Sequence, residues 1–214
     1  MKYVWCYIAV CGFNVLIACV AYVWFPTYRH YLLQEDSLVE NLSAMFFLLS
    51  SFLSLLFLVK LKDHKKLLIF VLVVGLIGFL DELSFGERIF GFAMPSIGRV
   101  KIDAIHDFFD LAYRYRSYSY PLTGIGGILI VTLVSYWVKL MLRHPSKGLG
   151  PHYVLLMFFA ALVFSASVID LEIVKYPPLF VLEEIFEMNA GIALVFCCLS
   201  LPNMPLHLTR FARR

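Results

Sequence analysis

Residues 38–66 of the chain read LVENLSAMFFLLSSFLSLLFLVKLKDHKK, and this stretch decides the fold. It begins with a nearly continuous apolar run from Leu38 to Val59, close to the ~20 residues that a helix needs to cross ~30 Å of hydrocarbon. The run ends in a turn that carries the basic residues Lys60, Lys62, Lys65 and Lys66. Because Lys and Arg concentrate in the cytoplasmic loops of membrane proteins, the stretch predicts a transmembrane helix that reaches the cytoplasm at this turn.

Similar apolar runs recur along the whole chain, which is 61% hydrophobic over 214 residues. This composition excludes a soluble domain with one core. Backbone groups in lipid find no water to bond, so each run is expected to be helical. The predicted transmembrane helices are Tyr3–Phe25, Leu38–Val59, Leu67–Phe85, Tyr120–Leu142, Tyr153–Ile169 and Val181–Leu201. The expected fold is therefore all-α, a polytopic integral membrane bundle of six transmembrane helices that forms a single domain over residues 1–214.

The charged residues are distributed unequally between the two sides of such a bundle. With the basic turn in the cytoplasm, alternation of the six helices places both termini there as well. Eleven of the 18 Lys and Arg residues then lie inside, and fourteen of the 15 Asp and Glu residues lie outside. We therefore expect a multi-pass protein of the bacterial inner membrane with both termini in the cytoplasm. Orientation alone explains the basic residues, so the expected partner is the lipid bilayer and not a nucleic acid.

The longest outer connection covers residues 86–119. Over residues 100–113 its apolar residues repeat with helical spacing on one side, whereas His106 and Asp110 fall on the other. This pattern predicts an amphipathic helix that lies in the membrane interface.

Acidic residues cluster where the predicted helices reach the outer surface. An ionised group at mid-bilayer costs ~2.5–3.5 kcal/mol, and less near the edge. A helix N-terminus stabilises acids by ~0.3–1 kcal/mol, which accounts for Glu40 and Glu183 as ordinary helix-end charges. The same dipole disfavours Asp81 and Glu82, which lie at a C-terminal end. Two interpretations of these acids remain open: independent surface charges, or one shared site. The rarity of intramembrane acids favours the shared site.

The shared site predicts two kinds of chemistry. Oxygen ligands with one imidazole suit Mg²⁺, Mn²⁺, Fe²⁺ or Ca²⁺, so a divalent cation is the candidate cofactor. Its candidate ligands are Glu40, Asp81, Glu82, His106, Asp110, Glu183, Glu184 and Glu187. The alternative is acid–base work by coupled carboxylates without a metal.

The candidate catalytic residues are Glu82, Glu87, His106 and Glu187. Arg88 is the candidate substrate-binding residue, because a guanidinium group suits a phosphate or carboxylate. The simpler role of Arg88 is an ion pair with Asp81 or Glu87, and the simpler role of His106 is that of an interfacial polar residue.

Three further patterns concern the interior and the cytoplasmic side. Glu40 continues along its helix as a weakly polar stripe expected to face the interior, with Ser43, Phe47, Ser50 and Ser54. The cytoplasmic histidines are expected to be solvated loop residues, namely His64, His144, His152 and His207. All five cysteines fall inside predicted spans, which argues against a disulfide framework.

Residues 81–91, which read DELSFGERIFG, resemble a stretch of an uncharacterised family of bacterial multi-spanning membrane proteins. That stretch has two acids, Ile or Leu, Ser, an aromatic residue, Gly, Gln and Arg. Further similar features are Ile105-His106-Asp107, the closing glutamates Glu183, Glu184 and Glu187, and the pair Glu35 and Glu40. Glu87 stands where the family has Gln, and Asp107 where it has Asn. The resemblance implies that the acidic layer is a family feature, and it implies no reaction.

Three functions fit such a protein. The favoured one is a membrane-embedded, metal-dependent enzyme that acts on a lipid or lipid-linked substrate at the outer leaflet. The second is a cation- or proton-coupled transporter, which the apolar inner halves of the predicted spans disfavour. The third is a non-catalytic accessory or immunity-type subunit whose acidic face docks a basic protein.

Overall fold

A computed structural model describes residues 1–28, 38–61, 64–84, 91, 96–97, 100–101, 150–170 and 176–202. These residues form five α-helices, a short 3-10 helix at Pro26–Tyr28 and two strands of two residues each. The α-helices are α1 (Lys2–Trp24), α2 (Leu38–Lys60), α3 (Lys65–Asp81), α4 (Pro151–Asp170) and α5 (Pro177–Ser200). The prediction of a helical fold is confirmed for the bundle, in which each α-helix coincides with a predicted apolar span, and a pair of two-residue strands lies outside that bundle. The predicted span Tyr120–Leu142 lies outside the described residues.

Three of these helices are long and apolar enough to cross a membrane: α1, α2 and residues 151–169 of α4. Helix α3 has 17 residues, a rise of about 25 Å at ~1.5 Å per residue, which is less than a typical hydrocarbon core. Helix α5 carries three glutamates, Glu183, Glu184 and Glu187, in its first half. Helix α3 is short for a membrane span, and helix α5 carries more charge than the three spanning helices. Six membrane spans therefore remain a prediction.

Helix α5 is the central helix of the described bundle, because it packs against each of the other four α-helices. Its residues from Met188 to Val195 are all buried. This stretch contains Ala190, Gly191 and Ala193, and such small residues let helix backbones approach closely. In contrast, large apolar side chains such as Trp5 and Phe52 are exposed on α1 and α2. Their exposure suits contact with lipid.

Helix α3 ends earlier than its predicted span, which extends to Phe85. The last helical residue is Asp81, and the Glu82 N–H still donates to the carbonyl oxygen of Gly78. Ser84 then has a φ of 49°, in the left-handed region that ends helices. The prediction that this α-helix continues beyond Asp81 is therefore wrong for residues 82–84.

The chain divides into two compact units, Met1–Glu82 with Pro151–Arg214, and Leu83–Gly150. The five α-helices belong to the first unit. In the second, Ser96–Ile97 (β1) pairs antiparallel with Val100–Lys101 (β2). The interfacial helix predicted over residues 100–113 therefore does not begin at Val100. Two strands joined by two residues, of which the first is Gly98, are typical of a hairpin. Residues 102–113 lie outside the described part, and a single domain stays a prediction.

Candidate carboxylate site

Glu82 is the most buried carboxylate among the predicted site residues that the structure describes. It follows the last residue of α3, and its side chain is 8% exposed. The Ser43 hydroxyl on α2 donates a hydrogen bond to Glu82 Oε1 at 2.6 Å. Ser43 is itself fully buried. The contact joins two helices and holds one carboxyl oxygen in a defined position.

Other acidic side chains surround this pair. Glu40, Asp81 and Glu184 lie close enough to Glu82 to repel its charge. Glu187 is in turn repelled by a set of four acids, which are Asp81, Glu82, Glu183 and Glu184. The structure thus brings together six predicted site residues from α2, from α3 and its end, and from α5. All six belong to the first compact unit.

Helical spacing explains how these residues reach one place. Glu40 precedes Ser43 by three residues on α2, so both lie on one helix surface. Glu183 and Glu187 are four residues apart on α5 and share a surface in the same way. Glu40, Glu183 and Glu187 are partly exposed, whereas Glu82 is buried. The cluster therefore has a buried inner member and a more accessible rim.

Four predicted site residues lie outside the described residues: Glu87, Arg88, His106 and Asp110. Their proposed roles stay predictions. Among the residues that the structure does describe, no group of three or more His, Cys, Asp or Glu side chains is placed to hold a metal ion. The predicted cation site draws His106 and Asp110 from the remainder of the chain, so it too stays a prediction.

The arrangement allows acid–base chemistry at Glu82. Like charges held this close in a bundle interior are unfavourable, because a low-dielectric interior screens their repulsion weakly. A shared proton or a bound cation lowers that repulsion. Carboxylates in such pairs commonly divide into a protonated acid and an ionised base. Glu82 and Glu187 are the two described candidates for those roles.

The interior stripe expected on α2 is confirmed, since Ser43, Phe47, Ser50 and Ser54 are all buried. Ser50 Oγ donates to the Phe47 carbonyl oxygen of its own helix at 2.8 Å. Ser54 Oγ lies 3.1 Å from the Cys198 sulfur on α5. The stripe therefore faces α5 as well as the carboxylate cluster.

A polar network between α1 and α5 was not predicted. Asn14 Nδ2 donates to Asn189 Oδ1 at 2.8 Å, and the Tyr7 hydroxyl donates to the Asn189 carbonyl oxygen at 3.3 Å. Asn189 is 1% exposed. The sequence does contain a signal for this network. Each asparagine lies in the middle of an apolar run, where a polar side chain needs a partner.

The expectation that His152 is a solvated loop residue is wrong. It is the second residue of α4 and is 3% exposed. Its ring contacts the ring of Tyr153 with centroids 4.1 Å apart, and that of His64 at 5.9 Å. The helix begins at Pro151, two residues before the predicted span, because proline is well suited to the first helical position.

No protein-family model, curated protein or solved structure matches the chain. The resemblance of residues 81–91 to a family of membrane proteins therefore stays a prediction from the sequence pattern.

Proposed function

We propose that the protein is a multi-pass enzyme of the bacterial inner membrane that performs acid–base chemistry on a lipid or lipid-linked substrate. In this proposal six helices span the membrane, both termini lie in the cytoplasm, and the carboxylate cluster faces the outer leaflet. The observation that carries it is the buried Glu82, fixed by Ser43 at 2.6 Å and surrounded by further acids. Buried ionisable groups in a membrane bundle are costly and are typical of functional sites.

Glu82 and Glu187 divide the acid and base roles. Ser43 holds the Glu82 carboxyl group through Oε1, and this carboxyl group exchanges a proton with the substrate. The partly exposed Glu187 exchanges protons with the surroundings. Arg88 binds a phosphate or carboxylate of the substrate, and Glu87 and His106 assist in proton transfer. These last three roles rest on the sequence alone.

A divalent cation is the second form of the same proposal. Carboxylates of α2, α5 and the end of α3 lie close enough to repel one another, and oxygen-rich sites favour Mg²⁺, Mn²⁺, Fe²⁺ or Ca²⁺. The cation would neutralise the repulsion between Glu82, Glu184 and Glu187 and polarise a substrate oxygen. Elemental analysis of the purified protein separates the two forms, because only the second requires a stoichiometric metal that Glu82→Gln and Glu187→Gln remove.

A cation- or proton-coupled transporter is the alternative function. The buried hydroxyls of Ser43, Ser50 and Ser54 extend along α2 away from the carboxylate cluster, which weakens the argument that the interior is too apolar for transport. However, Ser50 bonds a carbonyl of its own helix and Ser54 bonds a cysteine. Flux measured in proteoliposomes tests this alternative, and flux lost in Glu82→Gln would favour it over the enzyme.

The enzyme is tested by following lipid turnover. Purified protein in proteoliposomes made from bacterial lipid extract is expected to convert a lipid species, detected by mass spectrometry. Loss of a general acid or base typically lowers the rate by ~10²–10⁴-fold, so Glu82→Gln and Glu187→Gln should abolish conversion. Asp63→Asn is the matched control, because Asp63 is the one acidic residue that the charge pattern places on the cytoplasmic side. Conversion that is unchanged in both glutamine variants would contradict the proposal, as would the absence of conversion by the unaltered protein.

A further inference from the structure

His64 and His152 bring the N-termini of two helices together. His64 is the N-cap of α3, and His152 is the second residue of α4. Their ring centroids are 5.9 Å apart at an interplanar angle of 61°. Each helix N-terminus carries roughly half a positive charge. The junction therefore combines two positive helix ends, neither of which has an acidic residue in its first turn.

The His152 imidazole is buried at this junction with a free nitrogen. It is 3% exposed, and within the described part of the chain Nδ1 has no hydrogen-bond partner. Its ring contacts that of His64, so it is directed toward the start of α3. A buried polar atom left unsatisfied costs ~1–3 kcal/mol and is uncommon in native structures. A ligand bound at the junction is one source of the missing partner.

The surrounding charges select the kind of ligand. Lys65 and Lys66 are exposed in the first turn of α3, where the helix dipole disfavours a cation. His64 makes no side-chain capping bond to the first-turn amides of this helix. Two lysines and two positive helix ends repel a metal cation and attract an anion, to which an imidazole N–H can donate a hydrogen bond. Backbone amides at a helix N-terminus are well suited to phosphate oxygens.

We propose that the His64–His152 junction binds a phosphate-type oxyanion, either free phosphate or the headgroup of an anionic phospholipid. His152 donates from Nδ1 in the tautomer that carries its proton there. The first-turn amides of α3 and the ammonium groups of Lys65 and Lys66 complete the set of donors. The site is separate from the carboxylate cluster, and the proposal does not depend on the proposed enzyme activity.

The test uses the full-length protein purified in detergent. Isothermal titration calorimetry with inorganic phosphate measures the free anion. Native mass spectrometry after reconstitution with phosphatidylglycerol or phosphatidylcholine measures lipid retention. We expect saturable binding of phosphate, selective retention of phosphatidylglycerol, or both, and the two readouts distinguish the sources.

The variants isolate the junction. His152→Phe keeps the aromatic packing against Tyr153 but removes the nitrogen, and His64→Ala alters a less buried position should His152→Phe fail to fold. These two variants and Lys66→Gln should each weaken binding of the anion by roughly tenfold. Such a loss corresponds to about one charge-assisted hydrogen bond. Lys2→Gln, which also removes one exposed positive charge, should leave binding unchanged.

Three outcomes would overturn the proposal. The first is that the unaltered protein binds neither inorganic phosphate nor phosphatidylglycerol selectively. The second is that the His64, His152 and Lys66 variants bind as tightly as the Lys2→Gln control. The third is that Zn²⁺ binds at the two histidines and phosphate does not, because this would make the junction a cation site.

Discussion

Single side chains determine the chemistry of the carboxylate cluster, and Ser43 is the clearest example. Its hydroxyl on α2 donates a hydrogen bond of 2.6 Å to Glu82, which directly follows α3. Ser50 is equally buried, but its hydroxyl bonds a carbonyl of its own helix. The two serines are therefore equally buried and have different partners, which makes them a matched pair for mutation.

Ser43→Ala is expected to lower the free energy of unfolding by about 1–2 kcal/mol, because it removes a buried hydrogen bond to a carboxyl oxygen. Ser50→Ala should have a smaller effect, since the Phe47 carbonyl keeps its place in the helix. Thermal unfolding in detergent, followed by intrinsic fluorescence, measures both. Equal losses in the two variants would show that Ser43 acts through packing and not through its bond to Glu82.

Glu82→Gln is expected to raise the unfolding temperature at neutral and alkaline pH. The glutamine oxygen still accepts the Ser43 hydrogen bond, while one charge is removed from a group of mutually repelling acids. The gain should shrink as pH falls, because protonation of the unaltered carboxylates removes the same repulsion.

Glu82→Ala provides the comparison, because it removes the hydrogen-bond acceptor together with the charge and should be less stable than Glu82→Gln. If Glu82→Gln lowers the unfolding temperature at every pH, then the charge of Glu82 is compensated by a bound cation or an opposite charge.

Among the secondary-structure elements, the packing of α2 against α3 places Ser43 beside Glu82. Gly75 of α3 lies at this interface, where an added Cβ would approach the Phe47 carbonyl oxygen to 2.9 Å and the Ser50 hydroxyl to 2.6 Å. Gly12 of α1, in contrast, has no atom within 4 Å of such a Cβ. One glycine thus permits a close helix contact, and the other occupies open space.

Gly75→Ala is expected to destabilise the protein by about 1–3 kcal/mol, since overpacking a close contact forces the helices apart. Gly12→Ala should be neutral or stabilising by up to about 1 kcal/mol, because alanine favours the helix. Both are measured by thermal unfolding in detergent. A neutral Gly75→Ala variant would mean that α2 and α3 separate without cost, and the Ser43–Glu82 contact would then not depend on their packing.

For the whole molecule, the unequal charge distribution predicts an orientation in the membrane. The short 3-10 helix after α1 is predicted to lie outside, and the start of α3 inside. Thr27 and Lys65 are exposed representatives of these two positions. Their opposite placement follows if α2 crosses the bilayer once, as its length and composition allow.

Thr27→Cys, in a protein whose five native cysteines are replaced, is expected to react with a membrane-impermeant maleimide from the periplasmic side of cells. Lys65→Cys should react only after the inner membrane is permeabilised. Mass shift of the purified protein measures both. Labelling of both positions in intact spheroplasts, or the reverse pattern, would contradict the proposed topology.

The sequence by itself determined the helices. An apolar run forms a helix through hydrogen bonds within the segment, so α1, α2, α4 and α5 begin and end within a few residues of the predicted spans. The buried stripe on α2 was also predictable, because residues three and four positions apart lie on one face of a helix. The sequence did not determine where α3 ends. The helix stops at Asp81 and Ser84 has a left-handed φ, and composition does not specify a single dihedral angle.

Only the tertiary structure decided which side chains meet. The Ser43–Glu82 bond joins residues 39 positions apart, and it exists because α3 packs closely on α2 at Gly75. The burial of His152 likewise depends on neighbours from distant parts of the chain, such as His64. Apolar periodicity records which face of a helix turns inward, but it does not record which partner is there. That pairing depends on the relative rotation and depth of packed helices, which are set by the whole bundle.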